Sequence, residues 1–198
     1  MKEEKLEELK KYIGELSIKK KLEEVDYGGN FVTMKKITVE LNNGKSLDRD
    51  FIYKNGKVRD SITIFPFTVN KTGVVVVQPR ICTPSGVTVE FPAGYVENGE
   101  TPIEAAEREL MEETGYKAEE IIPLTYMYQD EGNYGGRNYS FLAINCEKID
   151  TQHLDHDEFI HFMEFDLDEI QELVDKHYIE GACSLITYWY SKKHLGLK

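Results

Sequence analysis

Cysteine is scarce in this chain and poorly spaced for metal or disulfide work. Only Cys82, Cys146 and Cys183 are present, an odd number with no C-x-x-C pair. That excludes a zinc ribbon and predicts free thiols in a reducing, cytoplasmic setting. Long apolar runs are missing as well, and Met1 is followed by the charged Lys2-Glu3-Glu4-Lys5. Neither a signal peptide nor a membrane span is therefore expected. Positive charge is in deficit, with 24 Lys and Arg against 36 Asp and Glu and a net charge of −12. That balance argues against long DNA or RNA held through bulk phosphate contacts, and there is no basic stretch or DNA-binding helix pair to oppose it. A small anion whose charge is carried by metal ions is still admitted. Internal repeats and low-complexity tracts are absent.

What is there suits a globular protein. A length of 198 residues at 40% hydrophobic content can bury one sizeable core with room for a small appended subdomain. One stretch stands out, from Gly94 to Tyr116. Thr101 has the chemistry of an N-cap, Pro102 suits the first helical position, and Glu104 completes a Thr-x-x-Glu capping box. Gly115 supplies a left-handed helix end. The spacing therefore predicts a helix over Pro102 to Thr114.

On such a helix Ile103, Ala106 and Leu110 share one side, whereas Glu109, Glu112 and Glu113 share another at i, i+3 and i+4. Carboxylates so close repel one another unless cations sit among them. Glu100 can fold back toward the same face, and Arg108 can fix one carboxylate by pairing with it. Hard oxygen donors at this density suit Mg²⁺ or Mn²⁺, whose remaining ligands are waters and substrate phosphates. An ordinary solvated face would also place glutamates this way.

The full pattern of Gly94, Glu100, Arg108-Glu109-Leu110, Glu112-Glu113 and Gly115 resembles the complete Nudix box, with Tyr116 where that family usually has an aliphatic residue. The resemblance implies an α+β Nudix fold, a mixed β-sheet sandwiched between helices.

The order of elements agrees with that expectation. Glu3 to about Glu24 carries Leu6, Leu9, Ile13 and Leu16 at helical spacing, an amphipathic helix weakened by Gly14, for packing within the chain or across a dimer. Phe31 to Leu41 and Asp50 to Tyr53 read as strands, with turns at Asn42-Asn43-Gly44 and Asn55-Gly56. Residues 1–56 thus form a small helix-plus-β subdomain and residues 57–198 the main domain. In the latter, Ser61 to Val69, Val74 to Gln78, Thr88 to Gly94, Ile121-Ile122, Leu124 to Tyr128, Tyr139 to Asn145 and His161 to Phe165 read as strands. Leu167 to Lys176 and Ala182 to His194 read as helices, the second offering Leu185, Ile186, Tyr188 and Trp189 to the core.

Outside the box, Gln78-Pro79-Arg80, Glu90-Phe91-Pro92-Ala93-Gly94, Asp157-Glu158-Phe159-Ile160 and Glu180-Gly181-Ala182-Cys183-Ser184 are similar to the ADP-ribose (ADP-sugar) pyrophosphatase group. That resemblance implies a homodimer joined through the N-terminal β subdomain. It puts the Ala93 carbonyl, Glu109 and Glu113, with Glu112, at the metal positions. Its catalytic base lies in Leu154-Asp155-His156-Asp157-Glu158, where Glu158 matches the family carboxylate and His156 stands where relatives often have a further Glu. Arg80 matches a phosphate-binding arginine, although an ion pair in an acidic protein would also explain it. Arg137, in the Gly-rich segment from Gln129 to Asn138, is placed to close over a ligand. Tyr27, Phe31 and Tyr53 lie where the family stacks its nucleobase, or pack a core.

The implied reaction is Mg²⁺-dependent cleavage of a nucleoside diphosphate joined to another group, foremost ADP-ribose, giving AMP and ribose 5-phosphate. GDP-mannose, UDP-glucose and oxidised nucleoside triphosphates are alternative substrates. A non-catalytic ADP-ribose sensor and a purely structural acidic helix are the alternatives of other classes.

Overall fold

In a computed structural model the described residues are 3–17, 29, 31–40 and 46–197. The expected helix beyond residue 17, Tyr27, Leu41 and the 42–44 turn lie outside them.

The strand β3 (Ser61–Thr68) is buried at every residue and forms the centre of the main sheet. Its alternation sorts side chains to two faces. Ile62 and Ile64 join Ala105, Ala106, Leu110, Phe141 and Ala143 in one core layer. Phe65 and Phe67 join Val75, Val77, Phe91, Phe165, Ile170, Leu173 and Tyr188 in the other. A strand covered on both faces reads as a continuous apolar run, as Ser61 to Val69 does.

Beside β3 lie β4 (Thr72–Pro79), β6 (Ala93–Tyr95) and β9 (Tyr134–Lys148). Ser61 to Thr63 pair antiparallel with Tyr95 to Ala93 on one side and parallel with Asn138 to Ser140 on the other. That parallel pair makes the sheet mixed. β10 (His161–Asp166) and β5 (Val87–Glu90) flank β4, while β8 (Glu120–Asp130) and the short β7 (Tyr116–Lys117) pair with β9. The helix α2 (Pro102–Thr114) covers one face. The helices α1 (Glu3–Leu16), α3 (Leu167–Asp175) and α4 (Ala182–His194) bring Leu9, Ile170, Leu173 and Tyr188 to the other. This is the expected α+β sandwich.

α1 packs within its own chain: Leu9 is fully buried, Tyr12 stacks on His161 with ring centroids 4.3 Å apart, and Lys5 pairs with Glu169 at 3.0 Å. The hairpin of β1 (Val32–Glu40) and β2 (Ser46–Lys54) stands apart as a two-stranded sheet, with β1 exposed at nearly every residue. Asn55 and Gly56, both at positive φ (51° and 72°), turn the chain after it.

Several expectations need correction. The strand read as Thr88 to Gly94 is two, β5 on β4 and β6 on β3, broken at Phe91-Pro92, where the Pro92 carbonyl accepts from Ile64 N at 2.9 Å. The proline has no N–H with which to continue the first ladder. Ile103 and Trp189 are 40% and 57% exposed, so neither is a core residue. Ala105 is fully buried under α2 instead.

Candidate active site

The box helix begins and ends as its sequence dictates. Thr101 Oγ1 accepts from Glu104 N, the Glu104 carboxylate accepts the Thr101 N–H at 2.7 Å, and Gly115 takes φ 72°. A Cβ on Gly115 would lie 2.1 Å from the Asp150 carbonyl oxygen, so both conformation and space require glycine there.

The acidic face is not a solvated one. Glu109 is 8% exposed and Glu113 2%. Both lie on the floor of a cleft of about 490 Å³, which is walled by β3, β6, Gln78, Glu90 and the start of α4 and includes Asp155 and Glu158. Arg108 is the hub of the cluster. Its Nε and NH2 fork onto Glu100 at 2.9 and 3.1 Å, NH1 reaches Glu109 and Glu112 at 2.8 and 2.9 Å, and NH2 also donates to the Tyr95 carbonyl at 3.0 Å. One planar guanidinium thereby fixes the three carboxylates and ties the helix to the incoming strand. Gly94 leaves room for Glu109: a Cβ there would sit 1.8 Å from Glu109 Oε1.

Burial drives the electrostatics. Desolvation raises the Glu109 pKa to about 7, with Glu112 and Glu158 adding to the rise and Arg108 opposing it. Glu113 is raised well above the usual carboxylate range, first by burial and then by the charge of Glu109, while the Ala93 N–H resists at 3.1 Å. Acidic side chains outnumber basic ones along the cleft, seven to four. The carboxylates gathered around Arg108 are hard oxygen donors and fit a hard divalent cation. Among the described residues no three acidic, histidine or cysteine side chains converge as a finished metal shell. Arg108 holds the Glu109 and Glu112 oxygens that would turn toward an ion.

The segment after β9 closes over the end of α2. Lys148 Nζ donates to the Thr114 carbonyl at 2.8 Å, the Gln152 amide to those of Glu113 and Ile160 at 2.6 and 3.1 Å, and His153 N to that of Glu112 at 2.8 Å. The Ile149 and Asp150 N–H groups share the Gly115 carbonyl at 3.0 and 3.1 Å. Helix carbonyls left without intrahelical partners are thus covered by one loop. The same loop brings Glu158 to the cleft, where its Oε2 accepts from Asp155 N at 3.0 Å. Tyr116, the departure from the box, is buried with its hydroxyl on Glu164 and its ring edge-on to Phe162.

Of the residues singled out from sequence, Ala93, Gly94, Arg80, Arg108, Glu109, Glu112, Glu113 and Glu158 line this cleft. Arg80 forks onto Glu90 at 2.9 and 3.0 Å, so it is both a cleft residue and an ion pair. Four residues stand outside the cleft of their own chain. His156 is exposed on the loop, pointing the assignment of loop chemistry toward Glu158 and its neighbour Asp155. Arg137 lies over Tyr126 and Tyr128, 5.2 and 5.9 Å from the ring centroids. Phe31, 43% exposed, approaches Tyr95 at 6.2 Å, and Tyr53 packs against Phe51 at 5.2 Å. Arg59, Lys54, Gln129, Asn138 and Cys183 line the cleft without having been expected there. A basic residue just before the central strand was the available signal for Arg59. The rest are brought together by tertiary packing, Gln129 and Asn138 on Ser61 and Cys183 at the start of α4.

The comparisons agree with this geometry. The NUDIX domain family model matches residues 57–184. An ADP-ribose pyrophosphatase of Bacillus subtilis is 31% identical over 174 residues, covering 87% of this chain and 89% of that protein. A methanol dehydrogenase activator of Bacillus methanolicus is 30% identical over 173 residues, covering 87% and 91%. The solved structure of an ADP compounds hydrolase superposes with a TM-score of 0.74 at 18% identity, over 87% of this chain and 91% of that one, which is a likeness of fold. With the box helix folded as its capping residues require and the family model spanning most of the chain, this protein belongs to the NUDIX domain family and is a Nudix hydrolase.

Proposed function

We propose that this chain hydrolyses the pyrophosphate bond of a nucleoside diphosphate joined to a sugar, foremost ADP-ribose, to AMP and ribose 5-phosphate with Mg²⁺, Mn²⁺ serving in its place. The observation that carries the reading is the pair of buried carboxylates Glu109 and Glu113 on the floor of an open cleft, with Glu158 on its wall. The ADP-ribose pyrophosphatase likeness over most of the chain supports the substrate choice.

The Ala93 carbonyl, Glu109, Glu112 and Glu113 would hold the divalent ions that the family generally uses. Bound there, such ions neutralise the diphosphate and make a ligated water more acidic. Arg108 keeps the carboxylates oriented before the ions arrive, and Gly94 lets the strand lie close against them. Glu158 takes the proton of the attacking water as its oxygen bonds to phosphorus and the bridging P–O bond breaks. Arg80, held in place by Glu90, presents its remaining donors to a phosphate oxygen.

We assign residues 1–56 to assembly and residues 57–198 to catalysis. A two-stranded hairpin is marginal alone, so β1 and β2 are proposed to pair with a second copy, where Phe31, Tyr53 and Arg137 would serve the partner's nucleobase. No described helix is long and apolar enough to cross a membrane. Cytoplasmic residence is part of the same proposal.

Incubation with ADP-ribose and Mg²⁺, with products separated by chromatography, should give AMP and ribose 5-phosphate, abolished by a chelator. GDP-mannose, UDP-glucose and an oxidised nucleoside triphosphate belong in the same assay. Faster turnover of any of them would replace ADP-ribose as the substrate.

A further inference from the structure

The cleft contains three arginines, and two of them are held by carboxylates. Arg80 is forked onto Glu90 and Arg108 holds three carboxylates. The third, Arg59, makes no ion pair with any described residue, and its Nε is buried without a hydrogen-bond partner. An unpaired buried guanidinium N–H is costly, and doubly unexpected in a chain with 36 acidic residues.

Arg59 is nevertheless firmly mounted. The Tyr134 hydroxyl accepts the Arg59 N–H at 3.0 Å and donates to the Arg59 carbonyl at 2.6 Å. Gly136 runs so close that a Cβ there would lie 2.3 Å from that carbonyl oxygen. The guanidinium lies over the Tyr95 ring, 4.1 Å from its centroid. Lys54 Nζ shares the same ring at 5.4 Å and sits over Tyr134 at 4.4 Å. Two cations gathered at one aromatic ring favour an anion beside them. Tyr95 itself follows Gly94 in the box, and its carbonyl takes Arg108, so the platform is fixed directly to the acidic floor.

We propose that Arg59, stacked on Tyr95 and seconded by Lys54, is a binding residue for the phosphate oxygens of the substrate's diphosphate. This rests on the reading that a diphosphate is the substrate. A guanidinium that lines the cleft and has no ion-pair partner among the described residues suits a phosphate oxygen. Sequence alone singled out Arg80 for this role. The structure distinguishes Arg59 because its donors are uncommitted.

The test is calorimetric binding to the full chain with Mg²⁺, using two probes, the α,β-methylene analogue of ADP-ribose and inorganic pyrophosphate. Arg59→Met keeps the apolar stem and removes the fork, and should weaken both probes about 10- to 100-fold. Arg59→Lys should recover only part of that loss. The rise in Tm caused by Mg²⁺ alone should be the same in wild type and Arg59→Met, because the carboxylates are untouched. Binding of both probes by Arg59→Met within about twofold of wild type would overturn the assignment. So would a lost Mg²⁺ shift, which would make the effect structural. If wild type binds pyrophosphate in an Arg59-dependent way but ignores the analogue, the ADP-ribose reading fails and the role of Arg59 stands.

Discussion

The Ala93 N–H donates to Glu113 Oε2 at 3.1 Å, and among the described residues this is the one hydrogen bond on a carboxylate that is 2% exposed. A single backbone donor is poor compensation for burying a charge. Burial therefore favours protonation of Glu113 in the metal-free protein, and the divalent ions proposed above would relieve it.

That preference has a pH signature. Glu109 has a folded pKa of about 7, above the ordinary 4.5, and Glu113 is also raised well above 4.5. A raised carboxylate binds its proton more tightly in the folded state, so its contribution is complete below pH ~4.5 and is lost as pH rises through about 7. For Glu109 the loss is on the order of 3 kcal/mol. Metal-free protein should show a Tm that falls from pH 5 to pH 8, and Glu113→Gln should flatten that slope. Mg²⁺ should raise Tm more at pH 8 than at pH 5.5. A Tm of the metal-free protein that climbs across this range would contradict the burial argument.

Gly94→Ala separates activity from stability. The new methyl would meet the end of the Glu109 side chain, not backbone. Glu109 should swing aside and break its 2.8 Å contact with Arg108. We expect turnover to fall at least about tenfold, with a stability cost of about 1 kcal/mol, as for overpacking that one side chain absorbs. Steady-state kinetics and urea unfolding on the same preparation check both halves.

The acidic loop offers two candidate bases with opposite surroundings. Glu158 lines the cleft and His156 is exposed outside it. Glu158→Gln should lower kcat by about 100-fold or more, as loss of a general base does, whereas His156→Ala should stay within about twofold. The reverse ranking would move the proton transfer to the imidazole.

Arg108→Lys should be poorly tolerated. A lysine ammonium cannot hold Glu100, Glu109, Glu112 and the Tyr95 carbonyl from one plane. We expect a loss of about 3 kcal/mol without metal, at the low end for breaking a partly buried charge cluster. Mg²⁺ should restore part of it by separating the same carboxylates. Chemical unfolding with and without the ion reads the difference.

The box was legible because its information is local. Thr101, Pro102, Glu104 and Gly115 each act within one helical turn, so both ends of α2 fall where those residues put them. The core strands were legible for a related reason, since β3 and β4 are covered on both faces and keep an unbroken apolar run. Pairing across the sheet was not. Thr88 to Gly94 reads as one strand because nothing local says that β5 joins β4 while β6 joins β3. Trp189 reads as core on α4 because the register of a helix against a sheet is a tertiary property. Arg59 was missed where Arg80 was found. Its significance lies in making no ion pair with any described residue, and spacing along a chain cannot display that.

The loop that brings Glu158 to the cleft is also the loop whose donors finish α2. Gln152, His153, Ile149, Asp150 and Lys148 hold the carbonyls of Glu112 through Gly115. Lifting that segment would strip the last turn from the helix that carries Glu109, Glu112 and Glu113. Residues 154–159, with Glu158 among them, make none of those bonds, so a shift of Glu158 need not loosen the floor beneath it.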